Sequence, residues 1–331
     1  MSSPAQTNLD TSFENLRIRR VAGLIGGEVQ DLKLSASLDD AAIDTIHRAL
    51  VKYKVLFFRD QSHLDDAEHH AFGARFGDTV AHPTVPSLEG TKLFELDASK
   101  GGGRADSWHT DVTFIDAFPK ISILRGVKIP AYGGDTVWAN TAVAYERLPD
   151  DLKRLADSLW AVHTNDYDYG AERIAGTDSQ SAEVRLAHHQ NVFVSTVYEA
   201  EHPIVHVHPV SGEKALLLGH FIKRIVGLSS SESARIFEIL QNRVIRLENT
   251  VRWQWRQNDV VIWDNRATQH YAVNDYGTQE RLVRRVTVAG ERAISVDGHH
   301  SRTLRRPEQQ PQAQSQAGLQ QAARDPVASA A

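Results

Sequence analysis

Val260-Val261-Ile262-Trp263-Asp264-Asn265-Arg266-Ala267-Thr268-Gln269-His270 begins as an apolar strand, runs into a turn at Asp264-Asn265-Arg266 and ends on a histidine. Short β-rich runs of the same kind recur at Val55–Phe58, Ile121–Leu124, Asp135–Trp138, Ile204–Val207, Val251–Trp253 and Leu282–Val288. Helical periodicity is confined to four separated segments. The first runs from Asp39 to Lys52 with Ile43, Ile46 and Leu50 on one stripe, and the second begins at Asp65, with Glu68 placed to close a capping box. The third follows Thr141 and carries Leu148, Leu152 and Leu155; the fourth starts at Ser229, with Glu232 three residues on, and buries Ile236, Phe237 and Leu240. Many short strands with few helices predict a mainly β, α+β protein: a barrel or jelly roll with helical cladding.

A chain of 331 residues with 41% apolar content can bury a full core as one domain. We expect that domain over residues 15–299. The flanks, 1–14 and the Gln-, Ala- and Pro-rich 300–331, cannot bury an apolar face and are expected to be disordered. A net charge of −5 leaves no basic excess for a nucleic-acid partner. No run approaches the roughly 18 apolar residues of a membrane helix and the first residues lack a signal core, so a cytoplasmic location is expected. The absence of cysteine excludes disulfides, thiolate metal sites and thiol nucleophiles, leaving histidine and carboxylates as candidate ligands.

Trp108-His109-Thr110-Asp111 offers two hard ligands two residues apart, which on an extended strand project from one face. His270 is the natural third. Two histidines and one carboxylate leave three coordination positions of an iron(II) ion open for a co-substrate and dioxygen. The same His-x-Asp spacing occurs at His63-Leu64-Asp65, where helix capping by Asp65 accounts for it, and His206-Val207-His208 with His202 forms a rival set that lacks a carboxylate. Arg281, Arg284 and Arg285 fall on one strand. Alternation puts Arg281 and Arg285 on one face and Arg284 on the other, and a planar guanidinium behind a metal would anchor the far carboxylate of a dicarboxylic co-substrate. Gly101-Gly102-Gly103 is a hinge or loop, since no Lys-Ser or Lys-Thr follows it, and no G-x-S-x-G elbow is present.

Taken together, SWHTDVTF, GGDTVWANT, WDNRATQHYAVNDY and RLVRRVT resemble the taurine dioxygenase family of iron(II)/2-oxoglutarate enzymes from about Ile18 to Val288. VAHPTVP, STVYEAEHP, GHFIKRI and RLENTVRW resemble its alkylsulfatase, or sulfate ester dioxygenase, branch. The resemblance implies a cupin-like double-stranded β-helix. It implies Fe(2+) on His109, Asp111 and His270, with 2-oxoglutarate and O2 as co-substrates, ascorbate as a stimulant, and no protein group needed for acid–base catalysis. It further assigns Thr136 and Arg281 to 2-oxoglutarate, and His82, Val112 (through its backbone N–H) and Arg285 to the substrate anion. The implied reaction hydroxylates the carbon bearing the sulfate, giving aldehyde, sulfate, succinate and CO2. Taurine or alkanesulfonate oxygenation with sulfite release, and aryloxyalkanoate oxidation, are the alternatives. Ala105 stands near the position where taurine dioxygenase uses an asparagine, which disfavours taurine. A lid is expected at about 165–191, and a homodimer or homotetramer is the expected assembly.

Overall fold

Parity along each strand of the large sheet decides which core a side chain enters. Leu56, Phe58, Ile121, Ile123, Val260, Ile262, Val286 and Val288 pack outward against Ile43, Ile46, Ala49 and Leu50 of the helix Asp40–Tyr53 and Phe72 of the helix Asp66–Ala74. Their neighbours Val55, Phe57, Leu124, Val261, Trp263 and Val283 face inward against Trp138, Val251, Trp253 and Trp255. Burial on both faces is why these strands read as continuous apolar runs rather than as alternating ones. The computed structural model describes residues 8–10, 12–13, 15–88, 91–97, 105–166 and 197–306.

The large sheet runs Leu9–Asp10, Arg17–Arg20, Gly27–Gln30, Val55–Phe58, Val260–Asp264, Ile121–Lys128, Leu282–Val288, Thr79–Val80, with Phe94–Asp97 also paired to Leu282–Val288. Every pair in it is antiparallel except Gly27–Gln30 with Val55–Phe58. Facing it lies a sheet of Thr250–Trp253, Thr136–Asn140 and Thr268–Ala272. Aromatic contacts join the two layers: Phe57 stacks on Trp253 with centroids 4.1 Å apart, and Trp138 lies 5.8 Å from Trp263. Truncating Trp138, which is fully buried, to alanine would cost roughly 3–5 kcal/mol. The two layers form the expected jelly roll. A four-stranded sheet, Ile222–Ile225, Trp160–Thr164, Glu199–Pro203 and Arg302–Arg305, and the hairpin Val205–Val207 with Lys214–Leu216 complete the strands.

Three local expectations need correction. The periodic segment after Thr141 is two helices, Thr141–Glu146 and Asp150–Ser158, because Pro149 keeps Leu148 out of the helical region and starts the second helix; Leu155 is exposed. Asp65 caps its helix through the Glu68 N–H at 2.8 Å, but the Glu68 carboxylate accepts from the Ala36 N–H instead of closing a box. The boundaries at 15 and 299 are also too narrow, since Leu9–Asp10 and Arg302–Arg305 both pair into sheets. Edge pairing needs backbone groups more than apolar side chains, so composition did not reveal it. The capping box at Ser229 and Glu232 is present as expected. The lid from 167 onward, Gly101-Gly102-Gly103 and the tail from 307 lie outside the described residues.

Candidate active site

His109 and His270 are cross-strand partners. The His109 N–H donates to the His270 carbonyl at 3.0 Å and the His270 N–H to the His109 carbonyl at 2.8 Å, which sets the two imidazoles 4.0 Å apart. A close backbone approach makes this possible: Gly219, at φ 112°, lies where a Cβ would come within 2.9 Å of the Trp108 carbonyl and 3.1 Å of the His109 Cα. The extended geometry expected of His109 through Asp111 holds only at His109, because the chain turns at Asp111 and gives Val112 a φ of 58°. A buried β-branched residue in the left-handed region carries roughly 1–3 kcal/mol of strain. Its N–H has no acceptor among the described residues.

The turn delivers the carboxylate. Asp111 Oδ1 lies 3.9 Å from His109 Nε2 and 3.8 Å from His270 Nε2, and the three side chains offer one donor atom each within 4.8 Å of one another. His109 Nδ1 donates to the Ser107 carbonyl at 2.8 Å, which leaves the Nε2 lone pair facing the centre. Burial pushes His109 down to about 4 and His270 well below its usual value, so both imidazoles are neutral at physiological pH. Burial alone would raise Asp111, but Arg285, His270 and His109 outweigh it and hold the carboxyl well below the usual carboxylate range. Two neutral imidazoles and an ionised carboxylate, with no thiolate nearby, fit iron(II).

Thr136 and Arg281, the residues expected to meet the co-substrate, are both buried. Trp255 Nε1 donates to Thr136 Oγ1 at 3.0 Å, so the threonine hydroxyl hydrogen stays available to a ligand. Arg281 is buried, its Nε donates to the Gly134 carbonyl at 3.3 Å, and burial lowers its pKa. Arg285 donates through Nη1 to Asp111 Oδ1 at 2.5 Å, while its Nε is buried with no partner among the described residues. The guanidinium lies 4.9 Å from the Phe94 ring, and His82 stacks on the same phenylalanine at 5.1 Å. His82 Nδ1 accepts from the Thr84 N–H at 3.3 Å, which places its ring proton on Nε2. Burial and the Arg285 charge push His82 down to about 3. Arg284 points the other way, to Asp66 and Glu95, as alternation requires.

The rival histidines are each engaged elsewhere. His202 meets the Thr113 carbonyl and Ser301, His206 the Arg266 carbonyl, and His208 the Asp264 carboxylate, all in the protein interior. His63 bonds the Leu34 carbonyl. Sequence reasoning overlooked Trp255, Phe94 and Ser122, whose hydroxyl donates to Asp111 Oδ2 at 2.7 Å. The available signal was Ser122 itself, a polar residue inside the apolar run Ile121–Leu124.

A jelly roll that gathers two histidines and one carboxylate at a buried centre has the design of a non-haem iron oxygenase. The family described as "Taurine catabolism dioxygenase TauD, TfdA family" matches residues 17–287, and the chain belongs to it. It is 57% identical to the alpha-ketoglutarate-dependent sulfate ester dioxygenase of Pseudomonas putida, over 92% of this chain and 100% of that protein. It is 55% identical to an alkylsulfatase of Acinetobacter baylyi, over 90% of this chain and 92% of that one. A taurine dioxygenase crystal structure from Burkholderia xenovorans superposes with a TM-score of 0.73 at 33% identity, covering 89% of this chain and 96% of the other. Among the described residues no helix is long and apolar enough to cross a membrane.

Proposed function

We propose that this 2-oxoglutarate-dependent dioxygenase cleaves alkyl sulfate esters. The observation that carries the reading is a set of donors beside the trio with no acceptor among the described residues: the buried Arg285 Nε, the Val112 N–H and the proton on His82 Nε2. A permanently charged fork, a neutral imidazole donor and a main-chain N–H suit a tetrahedral sulfate oxyanion. Phe114, Phe221 and Tyr198 form an apolar wall next to Val112, and Phe221 packs edge-on to His109 at 6.2 Å, which suits an alkyl chain. The similarity to the Pseudomonas and Acinetobacter enzymes supports the same substrate class.

In this reading His109, Asp111 and His270 hold iron(II), and Arg281 with Thr136 holds the far carboxylate of 2-oxoglutarate. When bound, iron with 2-oxoglutarate and dioxygen supplies the oxidant that hydroxylates the carbon bearing the sulfate. The chain's own contribution is positional. Arg285, His82 and Val112 fix the sulfate so that the neighbouring C–H faces the trio, and the aromatic wall excludes water. The hydroxylated carbon then collapses, its new hydroxyl losing a proton as the C–O bond to sulfate breaks, to give aldehyde and inorganic sulfate with no protein acid or base required. A cytoplasmic homodimer or homotetramer, stimulated by ascorbate, is part of the same proposal. The test is anion identification with iron(II), 2-oxoglutarate, ascorbate and a panel of alkyl sulfates, taurine, alkanesulfonates and aryloxyacetates. Sulfate equal to succinate from an alkyl sulfate is expected; sulfite or a phenol as the main product overturns the proposal.

A further inference from the structure

Behind the carboxylate of the trio lies a chain of hydrogen bonds with a single chemical direction. Trp263 Nε1 donates to Asn265 Oδ1 at 2.9 Å, Asn265 Nδ2 donates to Ser122 Oγ at 2.9 Å, and Ser122 Oγ donates to Asp111 Oδ2 at 2.7 Å. An indole N–H is only a donor, so it must face the amide oxygen of Asn265; the amide NH2 then faces Ser122 and occupies the serine oxygen as acceptor. The one hydrogen left on the serine goes to Asp111. All four side chains are buried, and backbone pairing fixes the links: Trp263 is the register partner of Ser122, and the Asn265 N–H donates to the Lys120 carbonyl at 2.9 Å.

We propose that Trp263, Asn265 and Ser122 form a positioning relay that restricts Asp111 to one-oxygen metal ligation. The relay holds Oδ2 on the serine hydroxyl while Oδ1, which also accepts from Arg285 Nη1, lies 3.8 and 3.9 Å from the two imidazole Nε2 atoms. A carboxylate free to rotate could bind through both oxygens and fill one of the three positions that the co-substrate and dioxygen need. Partners of this kind typically change metal affinity by about 10- to 100-fold. The inference rests on the metal reading of the trio, and the test separates the two.

Cobalt(II) is titrated into wild type, Ser122→Ala and Asn265→Asp, following affinity and the visible absorption of the bound ion, which reports coordination number. Asn265→Asp keeps the size of the side chain but turns it into an acceptor toward Ser122, which draws the hydroxyl hydrogen away from Asp111. It therefore carries the test if Ser122→Ala fails to fold. Both variants are expected to bind cobalt about tenfold or more weakly, with weaker absorption as coordination number rises. Wild type that binds no cobalt overturns the metal reading and the relay with it. Wild type that binds, with variants matching it in affinity and spectrum, overturns the relay alone.

Discussion

Replacing Arg281 by lysine keeps the charge and removes the fork. In the structure the guanidinium is buried, anchored by Nε on the Gly134 carbonyl and set 5.9 Å from the Tyr276 ring. No acceptor among the described residues takes up its terminal nitrogens, so both can meet a carboxylate side by side. An ammonium group offers a point charge in their place and loses one of two charge-assisted hydrogen bonds, worth about 1.5–3 kcal/mol. At roughly 1.4 kcal/mol per decade, KM for 2-oxoglutarate should rise about 10- to 150-fold. The rate at saturating 2-oxoglutarate should change little, because the lysine stands away from the reacting carbon. Initial rates of succinate formation against 2-oxoglutarate concentration, together with the Kd for 2-oxoglutarate, measure this. An unchanged KM and Kd, or a loss confined to kcat, would refute the assignment of Arg281 to the co-substrate.

The other expectations follow from neighbouring geometry. Gly134→Ala places a Cβ 3.2 Å from Arg281 Cδ and Nε at a φ of 70°, so it should also raise KM for 2-oxoglutarate, and an unaltered KM would contradict the Arg281 assignment. Gly219→Ala adds left-handed strain and a collision with the Trp108 carbonyl and His109 Cα; roughly 2–5 kcal/mol, on the order of 10 °C in Tm, should be lost, and an unchanged melting curve would show the backbone approach to be looser than described. Phe94→Leu removes the surface shared by Arg285 and His82, so KM for the sulfate ester should rise about 3- to 30-fold while KM for 2-oxoglutarate stays level. Because His82 is pushed down to about 3, KM for the sulfate ester should show no histidine inflection between about pH 5.5 and 8. Its folded value lies below the unfolded one, so this residue withdraws stability only as pH falls through 6.5 towards 3; an inflection in KM near 6.5 would mean that it titrates exposed.

The jelly roll was legible because burial on both faces leaves apolar strands; His109, Asp111 and His270, which the fold does bring together, stood out from the decoy at His63 only through the ordered motifs of the family resemblance. Parity placed Arg281 and Arg285 opposite Arg284. Beyond that, local pattern carried less. The split at Pro149 was hidden by leucines whose spacing continued across it, and the pairing of Arg302–Arg305 depends on a distant strand edge. The turn at Val112 breaks the rule that a β-branched residue avoids positive φ, so nothing in the sequence announced it. Ser122 meets Asn265 and Trp263 only through strand register, which connects it to residues more than 140 positions away.

The most direct test of the account is anaerobic iron(II) binding by wild type and by His109→Ala, Asp111→Ala and His270→Ala, with bound metal counted per folded chain. The account predicts one tightly bound iron in wild type and its loss in each variant, with melting curves that remain cooperative. Iron retained in full by any of the three folded variants would contradict the assignment of that residue and, with it, the centre on which the proposed chemistry depends.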